Sequence, residues 1–157
     1  MHSKIYQIGL KPINKEDYAS STDFYENSGD FADYIGDEYP EKERLEAVEG
    51  LAEILPEFFD YVGDGTLRYK GMGTFLLDWT KEIKRQANEM TAENVLEDAR
   101  MYKMSYIMSR THRDIELRFY IEDWSGCAEP LGEFVKYLSM IKEGTRLYVG
   151  AVIDFHF

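Results

Sequence analysis

The sequence has 157 residues, with 30 acidic and 18 basic side chains and a formal net charge of −12. This length supports one domain with a hydrophobic core and is short for two. The charge argues against direct binding to nucleic acid or to an anionic membrane, because both repel a negative surface. The aromatic content of 15% argues against disorder. We therefore expect a single globular domain over residues 1–157.

Sequence features of location and chemistry are few. No apolar run reaches the roughly 18 residues needed to cross a bilayer, and the first twelve residues do not resemble a signal peptide, so a cytoplasmic protein without membrane association is expected. The one cysteine, Cys127, excludes an internal disulfide and a multi-cysteine zinc site. Phosphate-binding glycine motifs, nucleophile elbows and calcium-loop spacings are absent. The sequence predicts no cofactor, metal site or catalytic residue, which favours a non-enzymatic protein, and it leaves the oligomeric state open.

The negative charge is concentrated in one part of the chain, residues 16–64, which we call the acidic segment. Residues 1–65 contain sixteen acidic and five basic side chains, whereas residues 66–157 contain fourteen and thirteen. From Glu16 to Glu41, carboxylates alternate irregularly with tyrosine and phenylalanine, and Gly29, Gly36 and Pro40 interrupt any period. This pattern predicts loops and short helical turns held in place by the aromatic side chains.

The second part of the acidic segment, from about Glu41 to Val62, has the period of an amphipathic helix. Its predicted inner face holds Leu45, Val48, Leu51, Ala52, Leu55, Phe59 and Val62, and its outer face holds Glu46, Glu49, Glu53 and Glu57. These four carboxylates span about 16 Å, a charge density comparable to that of one DNA strand. Like charges four residues apart destabilise a helix, so partner binding competes with simple solubility as their explanation. Pro56 either kinks this helix or opens a second short one.

Outside the acidic segment, the hydrophobic pattern predicts an α+β fold. Alternation of apolar residues, which is imperfect in the first case, predicts four strands: Lys4–Lys11, Thr66–Lys70, Ile115–Glu122 and Arg146–Phe157. Two major helices are expected over Thr74–Met90 and Pro130–Lys142, and Thr91 caps a short helix over Ala92–Asp98. The inner face of the first major helix is predicted to hold Phe75, Leu76, Trp79, Ile83, Ala87 and Met90.

Residues 101–109 admit two interpretations. Tyr102, Met104, Tyr106 and Met108 occupy alternate positions, which favours a fifth strand and a hairpin around Arg110–Asp114. A helix continuing from Ala92 to Met108 is the alternative. We expect a four- or five-stranded antiparallel or mixed sheet, with three main helices packed on one face and the other face partly open to water.

Two surfaces are candidates for function. The first is an acidic, aromatic-bordered surface that binds a basic, nucleic-acid-handling protein in the manner of a nucleic-acid mimic. Its predicted residues are Asp33, Asp37, Glu38, Glu46, Glu49, Glu53, Glu57, Tyr34 and Tyr39. The alternative is an enzyme or ligand-binding site on the open sheet face, formed by Glu116, Arg118, Asp154 and His156. The basic residues from Arg110 to Arg113 are expected either to bind an anion or to pair with the acidic segment.

Overall fold

A computed structural model describes residues 1–25, 31–113 and 115–157, which form an α+β fold with a seven-stranded mixed sheet. The strands are β1 His2–Gly9, β2 Tyr34–Glu38, β3 Phe59–Gly63, β4 Thr66–Tyr69, β5 Arg118–Ile121, β6 Ala128–Pro130 and β7 Arg146–His156. The α-helices are α1 Glu41–Ile54, α2 Phe75–Asn88, α3 Asp98–Arg110 and α4 Leu131–Leu138, and 3-10 helices cover Lys15–Asp17 and Ser21–Phe24. The predicted class is confirmed, whereas the number of strands is larger because β2, β3 and β6 are short and carry no clear alternation.

The longest strand, β7, organises the sheet. The strand order is β3-β4-β7-β1-β5-β6, and β2 also pairs with β7. β1 runs parallel to β5, and the other pairings are antiparallel, which makes the sheet mixed as expected. One edge of β7 pairs with β1, while the opposite edge is shared by β4 near Arg146 and by β2 near His156.

The edge of β7 between β4 and β2 is completed by a buried side chain, Arg44. Its Nη1 donates hydrogen bonds to the carbonyl oxygens of Val149 at 2.7 Å and Gly150 at 3.2 Å. Its Nη2 and Nε bind the Glu41 carboxylate at 2.9 and 3.1 Å. Only 4% of Arg44 is exposed, and such buried polar groups require hydrogen-bond partners. The guanidinium therefore takes the place of a neighbouring strand.

A register shift in the β1–β7 pairing changes the face of the sheet on which the β7 side chains lie. The shift falls between Tyr6 and Ile8 of β1, where Gln7 Oε1 accepts hydrogen bonds from the backbone N–H groups of Ala19 and Ala151. A bulge of one residue moves the following side chains to the opposite face. The twelve-residue alternation therefore does not define one apolar face, and it divides between two cores: Leu147, Val149 and Val152 belong to the first, and Ala151, Ile153 and Phe155 to the second.

Both faces of the sheet carry a hydrophobic core, and the face opposite the main core stays open to water at its β3–β4 end, where Arg68 and Arg146 are paired in the sheet and exposed. The main core lies between the sheet and α1, α2 and α4. The second core lies on the opposite face, where Ala19, Phe24 and Ile35 pack with Phe155, and Phe31 packs against the Phe155 ring at 5.4 Å. Aromatic side chains of the acidic segment therefore pack on this second face, which the sequence did not predict.

The predicted helix from Glu41 to Val62 is too long. α1 ends at Ile54, and Phe59 and Val62 lie on β3 instead. Pro56 accounts for this end, because proline lacks an N–H donor and its ring clashes with the preceding helical turn. Gly63 to Gly65 form the expected turn between β3 and β4, with positive φ at all three residues.

Residues 101–109 form part of α3 and not a strand, so the predicted hairpin with Ile115–Glu122 does not form. Only Ile107 of α3 is buried, and the alternation of Tyr and Met therefore does not mark a buried face. The region of the predicted short helix before it consists of turns. α2 is confirmed, although it lies at the periphery, with Leu76 44% exposed and Ala87 also exposed. β5 and α4 are shorter than predicted.

Candidate functional site

Eight exposed carboxylates lie in or beside β2 and along α1, and one of them, Glu41, is bound by Arg44. We call the other seven the acidic surface: Asp33, Asp37, Glu38, Glu43, Glu46, Glu49 and Glu53. β2 ends at Glu38 and α1 begins at Glu41, so one short connection holds both groups close together. Two basic residues, Lys42 and Arg44, occur between positions 31 and 54, and Arg44 is buried. The exposed charge of this surface is therefore strongly negative.

Few of these carboxylates are neutralised by a neighbour. Lys42 Nζ lies 3.8 Å from Glu46 Oε1, and His156 Nδ1 lies 3.4 Å from Asp33 Oδ2. Glu38 accepts a hydrogen bond from the Ser21 backbone N–H at 2.6 Å. Within residues 1–25, 31–113 and 115–157, the remaining four form no ion pair: Asp37, Glu43, Glu49 and Glu53.

Glu57 is not part of the helical stripe that the sequence predicted. It follows the end of α1, its side chain is 25% exposed, and its Oε1 accepts a hydrogen bond from Arg113 Nη1 at 2.9 Å. Arg113 Nη2 also donates to the Ile54 carbonyl oxygen at 3.0 Å. The stripe on α1 consists of Glu46, Glu49 and Glu53, which span about 10 Å. Arg113 pairs with the acidic segment, one of the two roles expected for it.

The position of Glu49 and Glu53 along α1 opposes helix stability. Both lie in the C-terminal half of a helix that ends at Ile54 and has no basic residue in its last turn. The partial negative charge at a helix C-terminus acts within the last turn, so it disfavours Glu53. Glu49 and Glu53 are also four residues apart, so their charges repel each other. Glu43, in contrast, lies in the first turn, where the dipole favours it.

The two tyrosines predicted at the border of the acidic surface differ in exposure. Tyr34 is 58% exposed. Tyr39 is half-buried, packs against the main core and donates its backbone N–H to the Val152 carbonyl oxygen at 2.8 Å. Burial raises the pKa of Tyr39, and the nearby carboxylates of Asp154 and Glu43 add to this effect.

The four residues of the alternative site form two separate groups. β1 lies between β5 and β7, so the strands that carry them are not neighbours. Arg118, 7% exposed, lies over the Phe31 ring at 4.6 Å and donates to Glu116 at 3.3 Å. Burial and the nearby Arg110 guanidinium lower the pKa of Arg118 to about 10. The other pair makes contacts elsewhere, with Asp154 bound to His2 at 2.8 Å and His156 beside Asp33.

A cavity that the sequence did not reveal lies between α2, α3 and the loop after α3. Its volume is about 490 Å³, and α3 contributes Tyr102, Lys103, Tyr106 and Ile107 to its wall. The spacing of these residues places them on one side of a helix, which became recognisable only once residues 101–109 were known to be helical. Elsewhere, no helix among the described residues combines the length and the apolar character needed to cross a lipid bilayer.

Comparison of the chain with protein-family models, with curated proteins and with solved structures finds no match. The fold and the acidic surface therefore define this molecule as an α+β domain with an anionic face.

Proposed function

We propose that this chain is a non-enzymatic, cytoplasmic protein-binding domain that presents its acidic surface to a basic, nucleic-acid-handling protein. The carboxylates occupy phosphate-binding positions on that partner and compete with its DNA or RNA. Electrostatic complementarity of this kind accelerates association and selects partners by charge.

The observation that carries the proposal is the placement of Glu49 and Glu53. Both are exposed and repel each other, and Glu53 also lies in the last turn of α1, where the helix dipole disfavours a carboxylate. Carboxylates at any exposed position increase solubility. Those in the first turn of a helix also stabilise the helix. Carboxylates retained where they reduce stability are typical of residues that act on a partner.

The charge spacing supports a phosphate-like role. Glu46, Glu49 and Glu53 place three carboxylates within about 10 Å along α1. One strand of B-DNA presents a phosphate every 3.4 Å or so along its axis, which gives about three over the same length. Asp37 and Glu38 add charge on the neighbouring strand β2.

The acidic segment buries aromatic side chains and exposes carboxylates, and this separation also supports the proposal. Phe24 and Phe31 pack into the second core, so the segment is held against the sheet by apolar contacts. Asp37, Glu43, Glu49 and Glu53 are left on the outside, and among the described residues they form no ion pair. Tyr34 remains exposed beside them and provides the kind of aromatic contact that contributes strongly at protein interfaces.

The test uses the protein as bait in a nuclease-treated cell extract. One variant carries Glu46→Gln, Glu49→Gln and Glu53→Gln, and Glu57 is left unchanged because it binds Arg113. A matched control carries Glu93→Gln, Glu97→Gln and Glu143→Gln, three exposed positions outside the acidic surface. Both variants change the net charge equally, so a difference between them reports the location of the charge.

The expected result is a basic nucleic-acid-binding protein that the wild type and the control capture and the stripe variant does not. An added DNA or RNA oligonucleotide should release it, and binding should weaken steeply with salt because screening reduces the charge attraction. Capture of the same protein by the stripe variant, or a complex unaffected by oligonucleotide, contradicts the proposal.

A further inference from the structure

The cavity between α2 and α3 lies in the one stretch of the sequence where positive charge is locally concentrated. Residues 99–113 contain four arginine or lysine side chains and no carboxylate. Its volume of about 490 Å³ falls within the range of roughly 300–1,000 Å³ typical of small-molecule sites. α2 and α3 are held together beside it by the Trp79 Nε1–H, which donates to the Ile107 carbonyl oxygen at 2.7 Å.

The wall formed by α3 combines flat apolar surface with one available cation. The Tyr102 ring is 71% exposed and lies next to the Tyr106 ring, with centroids 6.1 Å apart, and the Arg110 guanidinium lies over the Tyr106 ring at 5.2 Å. Lys103 projects from the same side of the helix, and no carboxylate among the described residues lies within ion-pair distance of its ammonium group. The other cations of this stretch are engaged, Arg100 with Glu89, Arg110 with Glu116, and Arg113 with Glu57.

The loop after α3 is strained where it enters the cavity. Thr111 is buried and has φ 78° and ψ −175°, a conformation found almost only in glycine. Such strain, at about 1–3 kcal/mol for each residue, clusters at ligand sites and switches. The next residue, His112, lines the cavity, and its ring centroid lies 4.7 Å from that of Phe75.

One ring nitrogen of His112 lacks a hydrogen-bond partner in the part of the chain that the structure describes. Its Nδ1 atom is buried and has no hydrogen-bond partner among the described residues. Burial, together with the neighbouring Arg113 guanidinium, lowers the pKa of His112, so the ring is neutral at pH 7. A neutral imidazole carries one N–H group. Because Nδ1 has no acceptor, we assign the proton to Nε2, which leaves the ring with one donor to offer a ligand.

We propose that this cavity binds a small organic anion with a flat aromatic body. The body stacks on the exposed Tyr102 ring, and the anionic group binds Lys103 and accepts a hydrogen bond from His112. The one carboxylate that lines the cavity, Glu82, is bound by Arg85 at 2.6 Å and Gln86 at 2.8 Å. Arg85 and Gln86 supply most of the compensation for its charge and Lys103 adds to it from beyond ion-pair distance, so the Lys103 ammonium group can still bind the anion.

The test is a titration of the intact, isotopically labelled protein with naphthalene-2-sulfonate, followed by NMR of the backbone amides. The expected shifts are saturable and lie at residues 102–107 and 111–113. Naphthalene-2-methanol, which has the same aromatic body and no charge, should bind about tenfold more weakly, since a charge-assisted hydrogen bond is lost.

Two variants keep the proposal falsifiable without threatening the fold, because both residues are exposed. Lys103→Met should weaken the sulfonate about tenfold, whereas Lys84→Met, an exposed lysine on α2, should leave its Kd unchanged. The proposal is overturned if no saturable binding occurs at millimolar sulfonate, if the shifts lie only on the exposed methionines of α3, or if Lys103→Met binds as tightly as wild type.

Discussion

Replacing Glu49 and Glu53 by glutamine should make this protein more stable, although both carboxylates belong to the proposed binding surface. Glu53 is one residue from the end of α1, where no basic side chain offsets the helix dipole. Removing its charge gains about 0.3–1 kcal/mol from the dipole, and relief of the Glu49–Glu53 repulsion adds about 0.2–0.5 kcal/mol. Glutamic acid and glutamine have similar helix propensities, so that change contributes little.

The double variant is therefore expected to gain about 0.5–1.5 kcal/mol in free energy of unfolding. For a chain of this size, that gain corresponds to an increase in Tm of about 1–6 °C. Glu43→Gln is the control, because Glu43 lies in the first turn of the same helix and is favoured by the dipole. The same chemical change there should lower stability by about 0.3–1 kcal/mol.

Urea unfolding followed by far-UV circular dichroism measures these differences. The two changes in free energy of unfolding should have opposite signs at low ionic strength. Both should approach zero at about 0.5 M salt, where the Debye length falls to about 4 Å. If the Glu49→Gln/Glu53→Gln variant is no more stable than Glu43→Gln, then these two carboxylates do not oppose the fold. The step from their placement to partner binding would then fail.

Two further predictions concern the packing of the fold. Arg44→Met should lower the free energy of unfolding by about 2–4 kcal/mol, measured by urea unfolding, because two buried β7 carbonyl groups lose their donor. The control Arg68→Met removes an exposed ion pair and should cost less than about 1 kcal/mol. Equal losses would contradict the bridging role of Arg44. Gly132→Ala should lower Tm sharply, because the added methyl group overlaps the Ser109 carbonyl oxygen between α4 and α3. Gly50→Ala, at an open helical position with no atom within 4 Å, should raise Tm through about 0.5–1 kcal/mol of stabilisation, and the reasoning fails if the two changes have the same sign.

Local patterns in the sequence predicted the elements that are long or rich in apolar residues. β1 and β7 are the two longest strands, with eight and eleven residues, and α2 and α4 carry enough apolar positions to be recognised. The length of the first helix was predicted wrongly, although Pro56 marked the correct end. The helical period in the sequence continued through Phe59 and Val62, but both lie on β3, where Phe59 is buried and Val62 is exposed.

Pairings between distant parts of the chain could not be predicted. The bulge opposite Gln7 exchanges the faces of β7, and nothing in the regular alternation from Leu147 to Phe155 reveals it. The cover on the second face comes from aromatic residues that the sequence identified, but their destination depends on three-dimensional neighbours. For the same reason, the sequence grouped Glu116 and Arg118 with Asp154 and His156, whereas β1 separates them.

For the acidic surface, the sequence correctly located the charged residues on α1, but it did not show which of them form ion pairs. Glu46, Glu49 and Glu53 are exposed on one helix, as their spacing predicted. Glu57 is bound by Arg113, a residue 56 positions away. The α2–α3 cavity was missed because alternation of tyrosine and methionine suggested a strand, and a strand would place Tyr102 and Lys103 on opposite faces.

The central position of β7 has a consequence for how this protein is made. β1, β2 and β4 all require β7 as a neighbour, and His2 pairs with His156. While the ribosome is still adding the preceding residues, three strand edges and both sets of apolar side chains remain uncovered. Chains that depend on such distant contacts fold slowly, and their incomplete forms aggregate readily. The nascent chain should therefore depend on chaperones until its last described strand has been released and docked.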